Sequence, residues 1–198
     1  RFPESLATAV RPVRVITAQD IRASGAGTLA ELLATLGGVE TVSSGGPGQP
    51  ASVFIRGAES RHTVVLVDGV RIGSATLGAA PVESLPLALI ERVEVLEGAS
   101  SSLYGSDAIG GVIQIFTRRD RGKANFHFHV GAGSHGRREG GMGIGGSTDR
   151  GWFGNDTAFQ STDGIDACRG AGFPIFAGCF VDGQTDRDGY DNHSFSAR

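Results

Sequence analysis

A change of residue pattern near residue 120 constrains the fold of this chain more than any other feature of its sequence. Before that point, short apolar runs such as Thr63–Val67 are separated by turn-forming residues, which is typical of buried strands in a compact domain. After it, Ala124–Val130 alternates apolar and polar residues, so successive side chains point to opposite faces of a strand. The pattern predicts a mixed α+β domain over residues 1–120 and long antiparallel hairpins over residues 121–198.

Composition and charge exclude several classes of protein. The 198 residues carry a formal net charge of −3, so nucleic acid is not an expected partner. Glycine accounts for 32 residues, more than twice its usual share of about 7%, but the Gly-X-Y repeat of a collagen is missing from the sequence. No apolar stretch approaches the ~18 residues of a membrane-spanning helix. Ser100–Ser102 and the five histidines have no acid partner at catalytic spacing, so no enzyme is predicted.

Local signals predict the elements of the first part. Thr28 and Glu31 form a capping-box pattern that opens a helix running to Thr35, and Gly37 follows its end. One face of this helix is predicted to be apolar, formed by Leu29, Leu32, Leu33 and Leu36. The pair Asp68-Gly69 predicts a tight turn, and Asp107 is expected to cap the turn that follows it. Strands are predicted over five runs rich in Val and Ile: Val13–Thr17, Ser52–Arg56, Thr63–Val67, Arg92–Leu96 and Val112–Phe116.

The hairpins of the second part fit two kinds of sheet. One is a soluble β-meander, and the other is the wall of a transmembrane β-barrel, whose strands alternate an outward apolar face with an inward polar face. In a barrel, Phe126, Phe128 and Val130 would face lipid, while His127 and His129 would face the lumen. Periodicity alone does not decide between the two.

A family resemblance favours the barrel. The segments Ser52–Ile72 and Leu87–Arg119 contain Ile-Arg-Gly, Val-Asp-Gly and Leu-Tyr-Gly-Ser-Asp-Ala-Ile-Gly-Gly-Val in that order. They resemble the plug domain of TonB-dependent outer-membrane transporters, and among these they are most similar to the cobalamin transporters. The resemblance implies an α+β plug with a mixed four-stranded sheet, inside a barrel of about 22 strands in the bacterial outer membrane.

The resemblance also implies a function and partners. Such a protein binds a scarce bulky nutrient, here most simply cobalamin, and imports it with energy from a TonB-type periplasmic protein. A ferric siderophore or haem is the alternative ligand, and a plug-like binding or signalling module without transport is the alternative class. Two plug apices are implied to touch the ligand; the first is Gln49, Pro50 and Ala51, and the second is Thr76, Leu77, Gly78 and Ala79.

Aspartates late in the chain suggest a cation site. A D-x-D-G sequence supplies oxygen ligands for calcium, but it is equally typical of an Asx turn. The resemblance implies that Asp166, Asp186 and Asp188 bind calcium as a cofactor. Cys168 and Cys179 lie between them and form either a local disulfide, which needs an oxidising compartment, or two reduced thiols.

Three further expectations concern individual positions. Arg56 is expected within an apolar strand, where it needs a carboxylate partner from the barrel, or else at a solvated edge. Glu97 stands where the family usually has an arginine that pairs with barrel carboxylates, so its charge is reversed. Gly105, Gly110 and Gly111 are expected to allow close approach of chains.

The length of the second part sets a last expectation. A barrel strand takes about 9–11 residues, so residues 121–198 supply only a few strands. We therefore expect the chain to be an N-terminal fragment of a barrel, with its energy-coupling segment upstream of Arg1.

Overall fold

The computed structural model describes residues 12–74, 78–99, 101–120, 122–149, 151–166 and 187–198. Its strands, in chain order, are β1 (Val13–Thr17), β2 (Glu40–Ser43), β3 (Ala51–Phe54), β4 (Thr63–Val67), β5 (Val70–Ile72), β6 (Ile90–Glu97), β7 (Gly111–Thr117), β8 (Asn125–Ala132), β9 (Arg138–Thr148), β10 (Gly151–Thr162) and β11 (Tyr190–Ala197). Its α-helices are α1 (Ala18–Ser24), α2 (Leu29–Leu36) and α3 (Ser101–Tyr104).

A five-stranded mixed sheet forms the body of the first part, and we call it the plug sheet. Its strand order is β1-β6-β7-β4-β5. Strands β4 and β7 run parallel, and the other neighbouring pairs are antiparallel. The predicted mixed sheet is confirmed, with five strands instead of four. The additional edge strand is β5, because Asp68 and Gly69 take φ values of 50° and 87° and turn the chain back on β4.

The predicted position of Arg56 is wrong. The strand expected over Ser52–Arg56 ends at Phe54, and it pairs with β2 in a separate two-stranded ribbon outside the plug sheet. Arg56 is exposed in a turn with φ of 54°, followed by Gly57 at 72°. The Ala58 N–H donates to the Ile55 carbonyl (3.0 Å) and closes this turn. The exposed side chain agrees with the alternative of a solvated Arg56, at a turn instead of a strand edge. A carboxylate partner from the rest of the barrel stays a prediction.

Helix α2 packs against the plug sheet through the face that the leucine spacing predicts. The Thr28 hydroxyl accepts a hydrogen bond from the Glu31 N–H (3.2 Å), and the Glu31 carboxylate accepts one from the Gly27 N–H (2.6 Å). The cap therefore reaches one residue further back than a standard capping box. The buried core beneath the helix consists of Leu29, Leu32, Leu33, Val93, Val95, Ile113 and Ile115.

Helix α1 is missing from the sequence-based expectations, although its signal is present. The Asp20 N–H donates to the Thr17 hydroxyl (3.3 Å), and the Thr17 N–H donates to the Asp20 carboxylate (2.8 Å). Hydrogen bonds from the Thr17 hydroxyl and N–H hold the pKa of Asp20 below its ordinary value. This is a capping box with aspartate at the position where Glu or Gln is usual. The sequence-based expectations include only the capping box of α2.

The second part is a four-stranded antiparallel sheet in the order β11-β10-β9-β8, which we call the wall sheet. Phe128, Met142, Thr157 and Phe195 lie side by side across its four strands. Phe128 is 73% exposed, whereas His127 and His129 are half-buried on the other face. The predicted opposite faces are therefore confirmed. The outward face presents a set of exposed apolar side chains: Phe126, Phe128, Val130, Met142, Ile144, Phe153, Phe159 and Phe195.

The described helices are all short. Among residues 12–74, 78–99, 101–120, 122–149, 151–166 and 187–198, no helix combines the length and the apolar character that crossing a membrane requires.

Candidate ligand-binding site and the surfaces around it

The first predicted apex is a tight loop of small residues, 44–50, that joins β2 to β3. Two backbone hydrogen bonds shape it, from Ser44 N–H to Pro50 O (3.0 Å) and from Gln49 N–H to Gly46 O (3.2 Å). Pro50 is exposed, Gln49 is half-buried, and Ala51 is buried at the start of β3. Within this first apex, Pro50 and Gln49 are therefore the two predicted contact residues whose side chains a ligand could reach from solvent.

The second predicted apex, residues 76–79, belongs to the loop 73–80 that follows β5. Gly78 is exposed and Ala79 half-buried, whereas Thr76 and Leu77 lie outside the described residues. The Ser74 N–H donates to Ala79 O (2.8 Å) and the Gly78 N–H to Ser74 O (2.9 Å), so the ends of this loop are held together. Beside the loop is a pocket of about 530 Å³ lined by Arg61, His62, Arg71, Gly73, Ser74, Gly78 and Asp107.

Charged pairs line that pocket. Arg71 forms an ion pair with Asp107 (2.5 Å), and Arg61 pairs with Glu59 (2.5 Å). The hydrogen bond from Arg71 holds the pKa of the Asp107 carboxyl below its ordinary value. The sequence suggests Asp107 as the cap of its own turn, but its partner lies 36 residues away on β5. That pairing follows from the neighbouring positions of β4, β5 and β7, which no local pattern encodes.

The aspartates predicted to bind calcium lie in and beside the loop between β10 and β11. Asp166 and Asp188 are described, while Asp186, Cys168 and Cys179 lie outside the described residues. The Asp188 N–H donates to Ile165 O (3.1 Å), and this bond closes the base of the loop. Among the described residues no group of three or more His, Cys, Asp or Glu side chains is placed to hold a metal ion. The calcium site and the disulfide stay predictions.

The base of this loop contacts the first apex. A Cβ added at Gly48 would overlap the ring of Tyr190, and one added at Gly46 would lie 3.7 Å from Ile165 Cγ1. The structure thus brings together the predicted ligand apex and the two ends of the predicted calcium loop. Sequence reasoning places both in one ligand site only through the family resemblance, and Tyr190 is not among its candidates.

Comparison with known protein families identifies the family to which this chain belongs. Residues 5–112 match the model of the TonB-dependent receptor plug domain, which is more than half of the chain. The chain belongs to the TonB-dependent receptor plug family. As a member of that family it is an outer-membrane protein.

Individual relatives of this chain agree with the family match. A vitamin B12 transporter of Photobacterium profundum is 42% identical over 168 residues, 84% of this chain and 28% of that protein. A vitamin B12 transporter of Vibrio cholerae is 47% identical over 118 residues, 60% of this chain and 19% of that protein. The chain therefore spans less than a third of the length of these relatives.

Solved structures share the fold. The pyoverdine receptor FpvA of Pseudomonas aeruginosa superposes with a TM-score of 0.69 at 21% identity, over 82% of this chain and 24% of the receptor. The siderophore receptor PirA of Acinetobacter baumannii superposes with a TM-score of 0.64 at 22% identity, over 83% of this chain and 26% of the receptor. The wall sheet of this chain therefore corresponds to β-strands of these receptors.

Polar contacts hold the plug against the inner face of the wall sheet. The Gln160 side-chain amide donates to Gly27 O (3.2 Å), and the Arg137 guanidinium lies so close to Gly27 that a Cβ there would overlap it. Arg198 donates to Arg118 O (2.8 Å) and pairs with Asp68 (3.4 Å). A cavity of about 480 Å³ remains between the two parts. The described contacts across this interface are therefore largely hydrogen bonds and ion pairs.

A histidine of the wall sheet contacts two carboxylates at this interface. His127 Nε2 lies 3.0 Å from Asp156 on β10, and its Nδ1 lies 3.7 Å from Asp120, just after the plug sheet. Glycines on β9 make room for these side chains, because a Cβ at Gly143 would overlap both His127 and Asp156. Glu97, by contrast, forms no ion pair within the part of the chain that the structure describes.

The two faces of the wall sheet are expected to differ in their access to lipid. Nitroxide labels at Phe128 and Phe195, both outward, should collide with oxygen dissolved in the bilayer several times more often than a label at His129, because oxygen concentrates in hydrocarbon and polar inward residues do not face it. Power-saturation EPR of the full-length protein in lipid vesicles measures this. Equal oxygen access at Phe128 and His129 would contradict the orientation.

Proposed function

We propose that this chain is the plug and first wall strands of an outer-membrane transporter that binds cobalamin and imports it. The observation that carries the proposal is the 42% identity to a vitamin B12 transporter over 168 residues, 84% of the chain. The siderophore receptors share the fold at 21–22% identity, and so support the architecture alone. The work of such a protein is binding and release, without a bond-making step.

The ligand site in this proposal lies between the two apices and the loop between β10 and β11. The first apex offers exposed Pro50 and half-buried Gln49, and the second offers Gly78 and Ala79. Small and apolar residues suit a flat contact with a large rigid ligand, because they bring the backbone close and lose little side-chain entropy. Calcium at Asp166, Asp186 and Asp188 would order the loop over this site.

The energy source in this proposal is a TonB-type periplasmic protein that acts on the plug. The polar plug–wall interface supports this, because hydrogen bonds such as Gln160 to Gly27 O can be exchanged for bonds to water as the plug moves. A tightly packed apolar interface would resist that motion. A ferric siderophore or haem is the alternative ligand that the resemblance to the wider family leaves open.

Ligand titration of the full-length protein tests the proposal. Cyanocobalamin is expected to bind at least about 100-fold more tightly than ferric pyoverdine or ferric enterobactin, a difference of about 2.7 kcal/mol in binding free energy. Uptake of labelled cyanocobalamin should depend on the TonB protein of the host cell. Tighter binding of a siderophore would move the chain to the siderophore receptors, and binding without TonB-dependent uptake would make it a binding or signalling module.

A further inference from the structure

The first apex is poorly suited to hold its own shape. Its sequence Gly45-Gly46-Pro47-Gly48 contains three glycines, and glycine loses more backbone entropy on ordering than any other residue. Only two backbone hydrogen bonds are found within residues 44–50. A loop of this kind that must meet a ligand gains affinity when something outside it fixes its conformation beforehand.

Tyr190, the first residue of β11, is in place to do this. Gly48 has φ of 84°, and its Cα lies so close to the Tyr190 ring that an added Cβ would overlap ring carbons Cδ2 and Cε2. Ile165, on the other side of the loop base, approaches Gly46. The ring therefore covers the apex at the residue whose backbone conformation is least available to other amino acids.

The ring is itself held in position. The Asn192 side-chain amide donates to the Tyr190 hydroxyl (2.7 Å), and the Ser194 hydroxyl donates to Asn192 Oδ1 (2.7 Å). These three side chains follow one another at a spacing of two along the inward face of β11, so they form a hydrogen-bonded row on a strand that is paired with β10. A rigid strand thus supports the aromatic contact to a loop of glycines.

We propose that Tyr190 is a positioning residue of the ligand site, whose ring holds the apex 44–50 in its binding conformation from the base of the loop between β10 and β11. This rests on the proposed function in one respect, namely that the apex contacts ligand.

Hydrogen exchange of the apex tests the positioning role without any ligand. In the full-length protein, Tyr190→Ala should speed exchange of the amides in residues 44–50 about tenfold and weaken cyanocobalamin binding by a similar factor. Tyr190→Phe keeps the ring and loses only the hydrogen bond from Asn192, so its effect on both should be clearly smaller than that of Tyr190→Ala. Phe195→Ala removes an outward aromatic from the same strand and should leave the apex unchanged. Exchange in β7 should be the same in all three variants, which separates loss of positioning from unfolding.

A double-mutant cycle isolates the ring contact. Gly48→Ala introduces both backbone strain and overlap with the ring, whereas Gly69→Ala introduces strain at a similar φ of 87° with no atom within 4 Å of the added Cβ. Gly48→Ala should therefore perturb the apex less in the Tyr190→Ala background than in wild type.

Two results would overturn the inference: apex exchange unchanged by Tyr190→Ala, or Tyr190→Phe behaving like Tyr190→Ala. If the wild-type protein does not bind cyanocobalamin, the proposed function fails, and the exchange measurements still decide the role of Tyr190.

Discussion

Replacing Gly111 with alanine is expected to lower the free energy of unfolding of the plug by about 3 kcal/mol, the upper part of the range for overpacking a core. The added Cβ would overlap the Leu96 carbonyl oxygen on β6 and would lie 2.9 Å from Ile55 Cδ1. Ile55 is fully buried, and the Leu96 carbonyl belongs to the pairing of β6 with β7. Neither group can move away without loosening the centre of the plug sheet.

The measurement is denaturant-dependent hydrogen exchange of the β6 and β7 amides in the full-length protein, together with the amount of protein that reaches the outer membrane. Gly73→Ala is the matched control, because a Cβ there meets nothing within 4 Å and its φ is ordinary. We expect that control to stay within about 0.5 kcal/mol of wild type. A loss for Gly111→Ala no larger than that of the control would show that the strands accommodate a Cβ at position 111, and the close-approach explanation would fail.

Removal of calcium is expected to weaken ligand binding by about ten- to a hundredfold. Asp166 directly follows Ile165, whose carbonyl accepts the hydrogen bond from Asp188 N–H (3.1 Å), so the two aspartates are gathered at the base of the loop. Calcium takes 6–8 oxygen ligands and would neutralise carboxylates that otherwise repel one another. Without it, the loop must be ordered at the moment of binding, and that ordering opposes affinity.

The test is a titration of the full-length protein with cyanocobalamin, with and without chelator. The double variant Asp186→Asn and Asp188→Asn should bind as weakly as the chelated wild type, and chelator should have no further effect on it. Asp191→Asn is the control, because Asp191 is exposed within β11 opposite Ser161. A mass measurement decides between a disulfide and two thiols at Cys168 and Cys179. Indifference of both affinity and loop proteolysis to calcium would leave these aspartates as turn residues.

Short sequence patterns predicted those features of the fold that depend only on residues close together in the chain. The leucine face of α2, the turn at Asp68-Gly69 and the alternating faces of β8 all appear as expected, because each depends on residues within one or two turns of chain. The motifs between Ile55 and Val112 identified the family, and the structure explains the glycines among them. Gly110 lies against Ala58, and Gly111 lies against the Leu96 carbonyl oxygen and the Ile55 side chain, so neither has space for a Cβ. Gly105 meets no atom within 4 Å, and its φ of 95° is what favours glycine there.

Long-range placement was beyond the reach of those patterns. An apolar run ending in Arg56 looks like a strand of the main sheet, yet β3 pairs with β2 in its own ribbon, and Arg56 turns out to solvent. Asp107 looks like a turn cap, yet it pairs with Arg71 on β5. In each case the partner depends on which strands are neighbours in the folded sheet. A charged residue or an apolar run in the sequence does not indicate which strands these are.

The sequence by itself determined the class of this protein, namely a TonB-dependent plug followed by wall strands whose residues alternate in polarity. It could do so because the periodicity of apolar residues, the turn residues and the motifs are all local features of the sequence. Only the tertiary structure decided how the candidate site is built. It set Tyr190 on Gly48, and so joined residues 142 positions apart in the sequence into one surface. The physical reason is that glycine has no side chain, so it allows a neighbour of any shape to come close. A glycine in the sequence can therefore indicate a close contact, but it does not identify the residue that makes the contact.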